Sequence, residues 1–175
     1  MHPSPARKTY YGFDHRNRNM KKLAFFFCLV VFGTASFASP AIFKATSEQP
    51  VDKLYDGLKS ALEEERLFVV FEANIGGNLA NFKDNWGDNY NRNHLDEIRS
   101  LVFCNAWYAN EVSNKDPDML ALCPLKITLT EKQGKTTALF VLPSSVAGAS
   151  PAAATLKEVE GKVKEALKAA GFEAK

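Results

Sequence analysis

Two stripes of helical periodicity, one near each end of the folded part, constrain this sequence more than any other feature. Val51, Leu54, Tyr55, Leu58 and Leu62 recur at intervals of three and four after Pro50, and Leu156, Val159, Val163, Leu167 and Ala170 do so before Gly171. Each stripe is the apolar face of a helix, and such a face must be buried against something. The segments between them have period two. Leu67, Val69, Phe71, Ala73 and Ile75 alternate with Phe68, Val70, Glu72 and Asn74, while Leu125, Ile127 and Leu129 alternate with Lys126, Thr128 and Thr130. Both read as strands, the first with one fully apolar face. Residues 41–46 are a further short strand, residues 95–103 return to a strand-like pattern, and Lys132-Gln133-Gly134-Lys135 turns the chain into a last strand over 136–142. Short helices are expected over 79–86 and from Asn105, which can cap the first turn, to Val112. Residues 85–94 read as a long surface loop, 144–154 as a small-residue linker, and Thr155 with Glu158 as a capping box. The order β-α-β-(α)-β-(α)-β-β-α lacks the regular spacing of a doubly wound sheet. It predicts an α+β two-layer sandwich, an antiparallel sheet with two long helices on one face.

The front of the chain is read as an address rather than as part of that fold. Met20-Lys21-Lys22 precedes ten uncharged residues, Leu23 to Phe32, and small residues then lead to Ala38. A positive start, a short apolar run and small side chains at −3 and −1 of a cut after Ala38 make a secretory signal peptide over residues 20–38. A membrane span needs about 20 apolar residues, roughly twice this run. Residues 1–19, which precede this complete signal, read as an upstream extension, with the true start at Met20. The mature domain is then residues 39–175, 137 residues in all. That is enough for a single core burying roughly 65–70% of the unfolded surface. The expected location is periplasmic or secreted, in a bacterium, with no stable membrane anchor after cleavage.

Charge excludes one large class of partner. The chain carries 22 Lys/Arg and 20 Asp/Glu, but six of the basic residues and only one acid fall in residues 1–38. The remaining 16 basic and 19 acidic residues give residues 39–175 a net charge of −3. A nucleic-acid binder needs a basic footprint to neutralise phosphates, so no nucleic-acid partner is expected.

Residues with catalytic chemistry are sparse. His94 is the sole histidine after residue 38, so imidazole metal sites cannot form within one chain, and no Gly-x-Ser-x-Gly elbow accompanies it. Gly76-Gly77 lacks the remaining signature of a phosphate loop, and the Asn/Asp-rich residues 84–96 do not fit the EF-hand template. The sharpest feature is Cys104 with Cys123. In an oxidising compartment such a pair tends to become a disulfide, here closing a loop of 18 intervening residues, worth on the order of 3 kcal/mol. Two buried free thiols, a redox pair, or a soft-metal site with Met119 are the alternatives. A Cys-x-x-Cys helix start, the usual device for lowering a thiol pKa, is absent. Trp86, Tyr90, His94, Asn105 and Tyr108 are candidate ligand contacts. No cofactor and no catalytic residue is expected. The leading expectation is an exported binding or interaction protein, homodimeric, with a small ligand or protein partner. The alternative is a thiol-based redox, sulfur-handling or soft-metal protein using Cys104 and Cys123.

Residues 101–143 carry a family likeness. Leu101-Val102-Phe103-Cys104-Asn105-Ala106-Trp107-Tyr108-Ala109, Asp116-Pro117, Leu120-Ala121-Leu122-Cys123-Pro124-Leu125-Lys126-Ile127 and Gly134-Lys135-Thr136, leading to Pro143, resemble the domain of unknown function 302. The likeness extends over about residues 41–170. Ala106 stands where the family usually has proline, the 85–94 loop is longer, and Cys123 lies one place before the position where members often carry their second cysteine. The resemblance implies a fold like a half-domain of the TATA-binding protein, often homodimeric. It implies no DNA binding, since fold does not carry function.

Overall fold

The computed structural model describes residues 41–174. The expected upstream extension, the signal peptide and the cut after Ala38 lie outside the described residues. The chain begins with strand β1 (Ile42–Ser47) and helix α1 (Val51–Glu64). Pro50 is the N-cap of α1, in extended conformation, as its fixed φ favours at a helix start. Strand β2 (Phe68–Asn74) leads directly into the short helices α2 (Ile75–Ala80) and α3 (Lys83–Trp86). Strand β3 (Glu97–Cys104), helix α4 (Ala106–Lys115) and a 3₁₀ segment, Pro117–Leu122, follow. Strands β4 (Leu125–Lys132) and β5 (Lys135–Val141) form a hairpin; α5 (Pro143–Ala147), α6 (Ala153–Ala169) and β6 (Glu173–Ala174) complete the chain.

The strands form one sheet in the order β2-β3-β4-β5-β1-β6, with every neighbouring pair antiparallel. One face supplies Leu101 and Phe103 from β3, Ile127 and Leu129 from β4, Ala138 and Phe140 from β5, and Ala45 from β1. The apolar stripes of α1 and α6 cover it, with Leu58, Leu62, Val163 and Leu167 at most 1% exposed. This is the expected α+β sandwich, and its logic is simple: two amphipathic helices and one sheet face have no other way to leave water. The opposite sheet face carries Ile42, Phe68, Phe71 and Val141 at 46, 53, 61 and 49% exposure.

Two local expectations are corrected. Strand β2 does not keep one apolar face, because its register against β3 shifts between Val69 and Phe71. Val69 faces the core beside Phe103, but the extra residue turns Phe71 outward beside Val102 and puts Glu72 on the helix side. Strand β2 ends at Asn74, just before Gly76-Gly77: Asn74 Oδ1 accepts from Gly77 N at 2.7 Å and caps α2. Thr155 and Glu158 do not form a capping box, since α6 begins at Ala153. Thr155 Oγ1 instead accepts from Lys115 Nζ at 2.7 Å, and Glu158 receives the hydroxyl of Tyr108.

Candidate functional site

The site grows from the way β3 ends and β4 begins. Phe103 pairs with Leu125, so the ends bearing Cys104 and Cys123 leave the sheet side by side. At one end Asn105 caps α4, its Oδ1 accepting from Tyr108 N at 3.0 Å and its Nδ2 donating to Arg66 O at 2.8 Å. At the other end Asp116 Oδ1 accepts from Asp118 N at 3.2 Å and starts the 3₁₀ segment, which closes with Cys123 N donating to Leu120 O at 2.9 Å. The excursion from Cys104 to Cys123 is held against α6 and the turn that precedes it. Tyr108 Oη donates to Glu158 Oε1 at 2.5 Å, and Ser150 Oγ to Asp116 Oδ2 at 2.5 Å. Burial, reinforced by Glu158, pushes the Tyr108 phenol up to about 12, so it stays a donor at any ordinary pH.

Within this frame the two cysteines are half-buried thiols with Sγ atoms 3.1 Å apart. Burial, and then the neighbouring Cys104, push the Cys123 thiol up to about 11. At neutral pH it is protonated, which makes it a slow nucleophile. Both sulfurs wall a pocket with Asn105, Tyr108, Val112 and Met119, whose cavity volume is about 40 Å³. Binding pockets for small molecules run roughly 300–1,000 Å³, whereas a water needs about 10–15 Å³. The space therefore suits an ion, a water or the tip of one side chain. Two thiols in such a place can be joined into a disulfide or can share a soft metal ion.

Of the residues singled out in the sequence, the fold brings Cys104, Asn105, Tyr108 and Cys123 to one wall. Trp86, Tyr90 and His94 are elsewhere. Trp86 stacks on Phe82 at 5.2 Å. Tyr90 lines a separate cleft with Asn74, Asn91 and Asp96. His94 is exposed in a turn at φ 53°, its backbone N donating to Asn91 O at 2.8 Å. Among the described residues, no group of three or more His, Cys, Asp and Glu is placed to hold a metal.

Sequence reasoning missed a second polar cluster. Arg99 Nη2 contacts Asp52 Oδ1 at 3.0 Å and Glu97 Oε2 at 3.2 Å, while its guanidinium stands 5.4 Å from the Tyr55 ring centroid. Lys59 Nζ donates to Glu72 Oε1 at 2.6 Å. Burial, and then a bond with Glu72, push the Tyr55 phenol up to about 12. The cluster depends on the β2 register shift that brings Glu72 to the helix side, and no pattern of period two signals that shift.

Comparison with known proteins places this geometry. No curated protein matches the chain. The crystal structure of an uncharacterised conserved DUF302 protein from Bacillus stearothermophilus superposes with a TM-score of 0.62 at 16% identity, covering 75% of this chain and 98% of that one. That likeness concerns the fold. The model of the domain of unknown function DUF302 matches residues 43–172, nearly all of the described part, and the chain belongs to that family.

Proposed function

We propose that this is an exported, non-catalytic interaction protein that works as a homodimer joined through its β2 edge. The carrying observation is the exposure of large apolar side chains there: Phe68 at 53%, Val70 at 62% and Phe71 at 61%. Phe68 also lines a groove with Trp107, itself 58% exposed. Among the described residues strand β2 is one of the two edges of the sheet, β6 being the other, and an edge with unpaired backbone groups and apolar side chains is ready to pair. A twofold contact brings this patch onto itself, the commonest form of oligomer. Export rests on the signal-like residues 20–38. Sedimentation velocity tests the assembly: a dimer that Phe71→Glu converts to monomer supports the reading, and a monomer at all concentrations overturns it.

A second reading has its own observation, the 3.1 Å approach of Cys104 and Cys123. In this reading the pair is a slow dithiol–disulfide switch or staple. Reaction with an external disulfide forms the Sγ–Sγ bond, and the two thiol protons and two electrons reduce that disulfide to two thiols. Intact mass after alkylation under denaturing conditions, without prior reduction, is the test. No alkyl adducts on the exported protein mean a bridge; two adducts mean that both thiols stay free.

A further inference from the structure

We propose that Cys104, Cys123 and Met119 form a binding site for a soft monovalent cation, Cu(I). The inference deepens the thiol-pair reading and rests on it. Cys104 and Cys123 reach one point from two ends of an 18-residue excursion, and Met119 stands in the wall of the same pocket. Three sulfurs, two of thiolate type and one thioether, are the donor set that soft ligand preference assigns to Cu(I). Zinc is the wrong ion for this place. A structural zinc site wants four ligands, usually with further Cys or His, and no group of three His, Cys, Asp and Glu is placed to hold a metal ion among the described residues. Calcium and magnesium want oxygen, and this wall is mostly carbon and sulfur.

Size and polarity agree with a single ion. A cavity of about 40 Å³ excludes a metabolite, and the side chains of Val112, Leu122 and Leu156 in its lining offer no oxygen ligand to a harder cation. With metal–sulfur distances of about 2.3 Å, sulfurs in a planar three-ligand set lie about 4 Å apart. Seating the ion therefore parts the two thiols by roughly one ångström from their 3.1 Å contact, within reach of side-chain rotation. The ion replaces both thiol protons, which leave to solvent, and no electron is transferred.

The test uses the purified protein expressed from the whole chain, reduced under argon and freed of reductant, with Cu(I) supplied as its bicinchoninate complex. The expected result is one Cu(I) withdrawn per chain, with three sulfur neighbours by X-ray absorption. Cys104→Ser and, separately, Cys123→Ser should abolish withdrawal, with circular dichroism confirming that each variant folds. Met119→Leu keeps side-chain volume and should leave two sulfur neighbours and an affinity weaker by about tenfold, the equivalent of one good contact. No withdrawal by the reduced protein, withdrawal unchanged in both serine variants, or an unchanged sulfur count in Met119→Leu overturns the proposal. The same reduced sample is treated in parallel with an external disulfide. A bridge without copper uptake sinks this inference and leaves the thiol-pair reading standing; neither bridge nor uptake sinks both.

Discussion

Asn105 shows how a single side chain sets the geometry around Cys104. Its amide caps α4 and also ties the start of that helix to Arg66 O. The cap was legible, because an asparagine before a helical run has one strong use. The tie to Arg66 was not, since it joins residues 39 positions apart. Asn105→Ala should cost about 1–2 kcal/mol in urea unfolding, as cap removal does. A loss near zero would mean that the cap is redundant. Glu160 gives a test by pH. Burial alone would raise its carboxyl, but bonds from Lys164 at 2.7 Å and Ser144 at 2.6 Å outweigh it and hold the carboxyl below its ordinary value. A depressed folded pKa means stability that is fully present above the unfolded value of about 4.3 and lost as pH falls through the folded one. Wild type should therefore be more stable than Glu160→Gln near neutrality, and the gap in urea midpoint should close in acid. A gap that ignores pH would assign Glu160 a packing role instead.

Elements differ in how openly they announce themselves. The β4–β5 hairpin was readable from Gln133-Gly134 between two alternating runs, and both residues have positive φ, 54° and 73°, as a two-residue turn between twisted strands requires. Gly134→Ala should cost about 1 kcal/mol, read as a lower denaturant midpoint. An unchanged midpoint would mean that the hairpin does not depend on that conformation. Strand β2 was readable as a strand but not in its faces. An extra residue at Val70 leaves the hydrophobic alternation in the sequence intact while reversing which side chains meet the core. The same limit applies to α6, whose first turn looked like a capping box until the fold gave Thr155 to Lys115 and Glu158 to Tyr108. Local patterns offer each polar group several partners, and packing picks among them.

At the scale of the molecule, the excursion between Cys104 and Cys123 is the one large segment that a single bond would fasten to the sheet. Bridging it removes the unfolded-state freedom of an 18-residue loop, worth about 3 kcal/mol, or about 10 °C in melting temperature for a domain of this size. Scanning calorimetry of oxidised and reduced protein checks this. Equal melting points would mean that the thiols do not bridge in the native fold. The sequence alone determined the α+β class, the two long helices, most strands, the missing basic footprint, and the cysteine pair as the point of interest. Those conclusions rest on periodicity, composition and turn chemistry, which act over a few residues. Only the tertiary structure decided that Tyr108 and Asn105 join the cysteines while Trp86, Tyr90 and His94 do not, that Met119 faces the same pocket, and that Phe68, Val70 and Phe71 are left in water. The reason is physical: a strand's register and the seat of a helical excursion are settled by long-range packing, which no local pattern encodes.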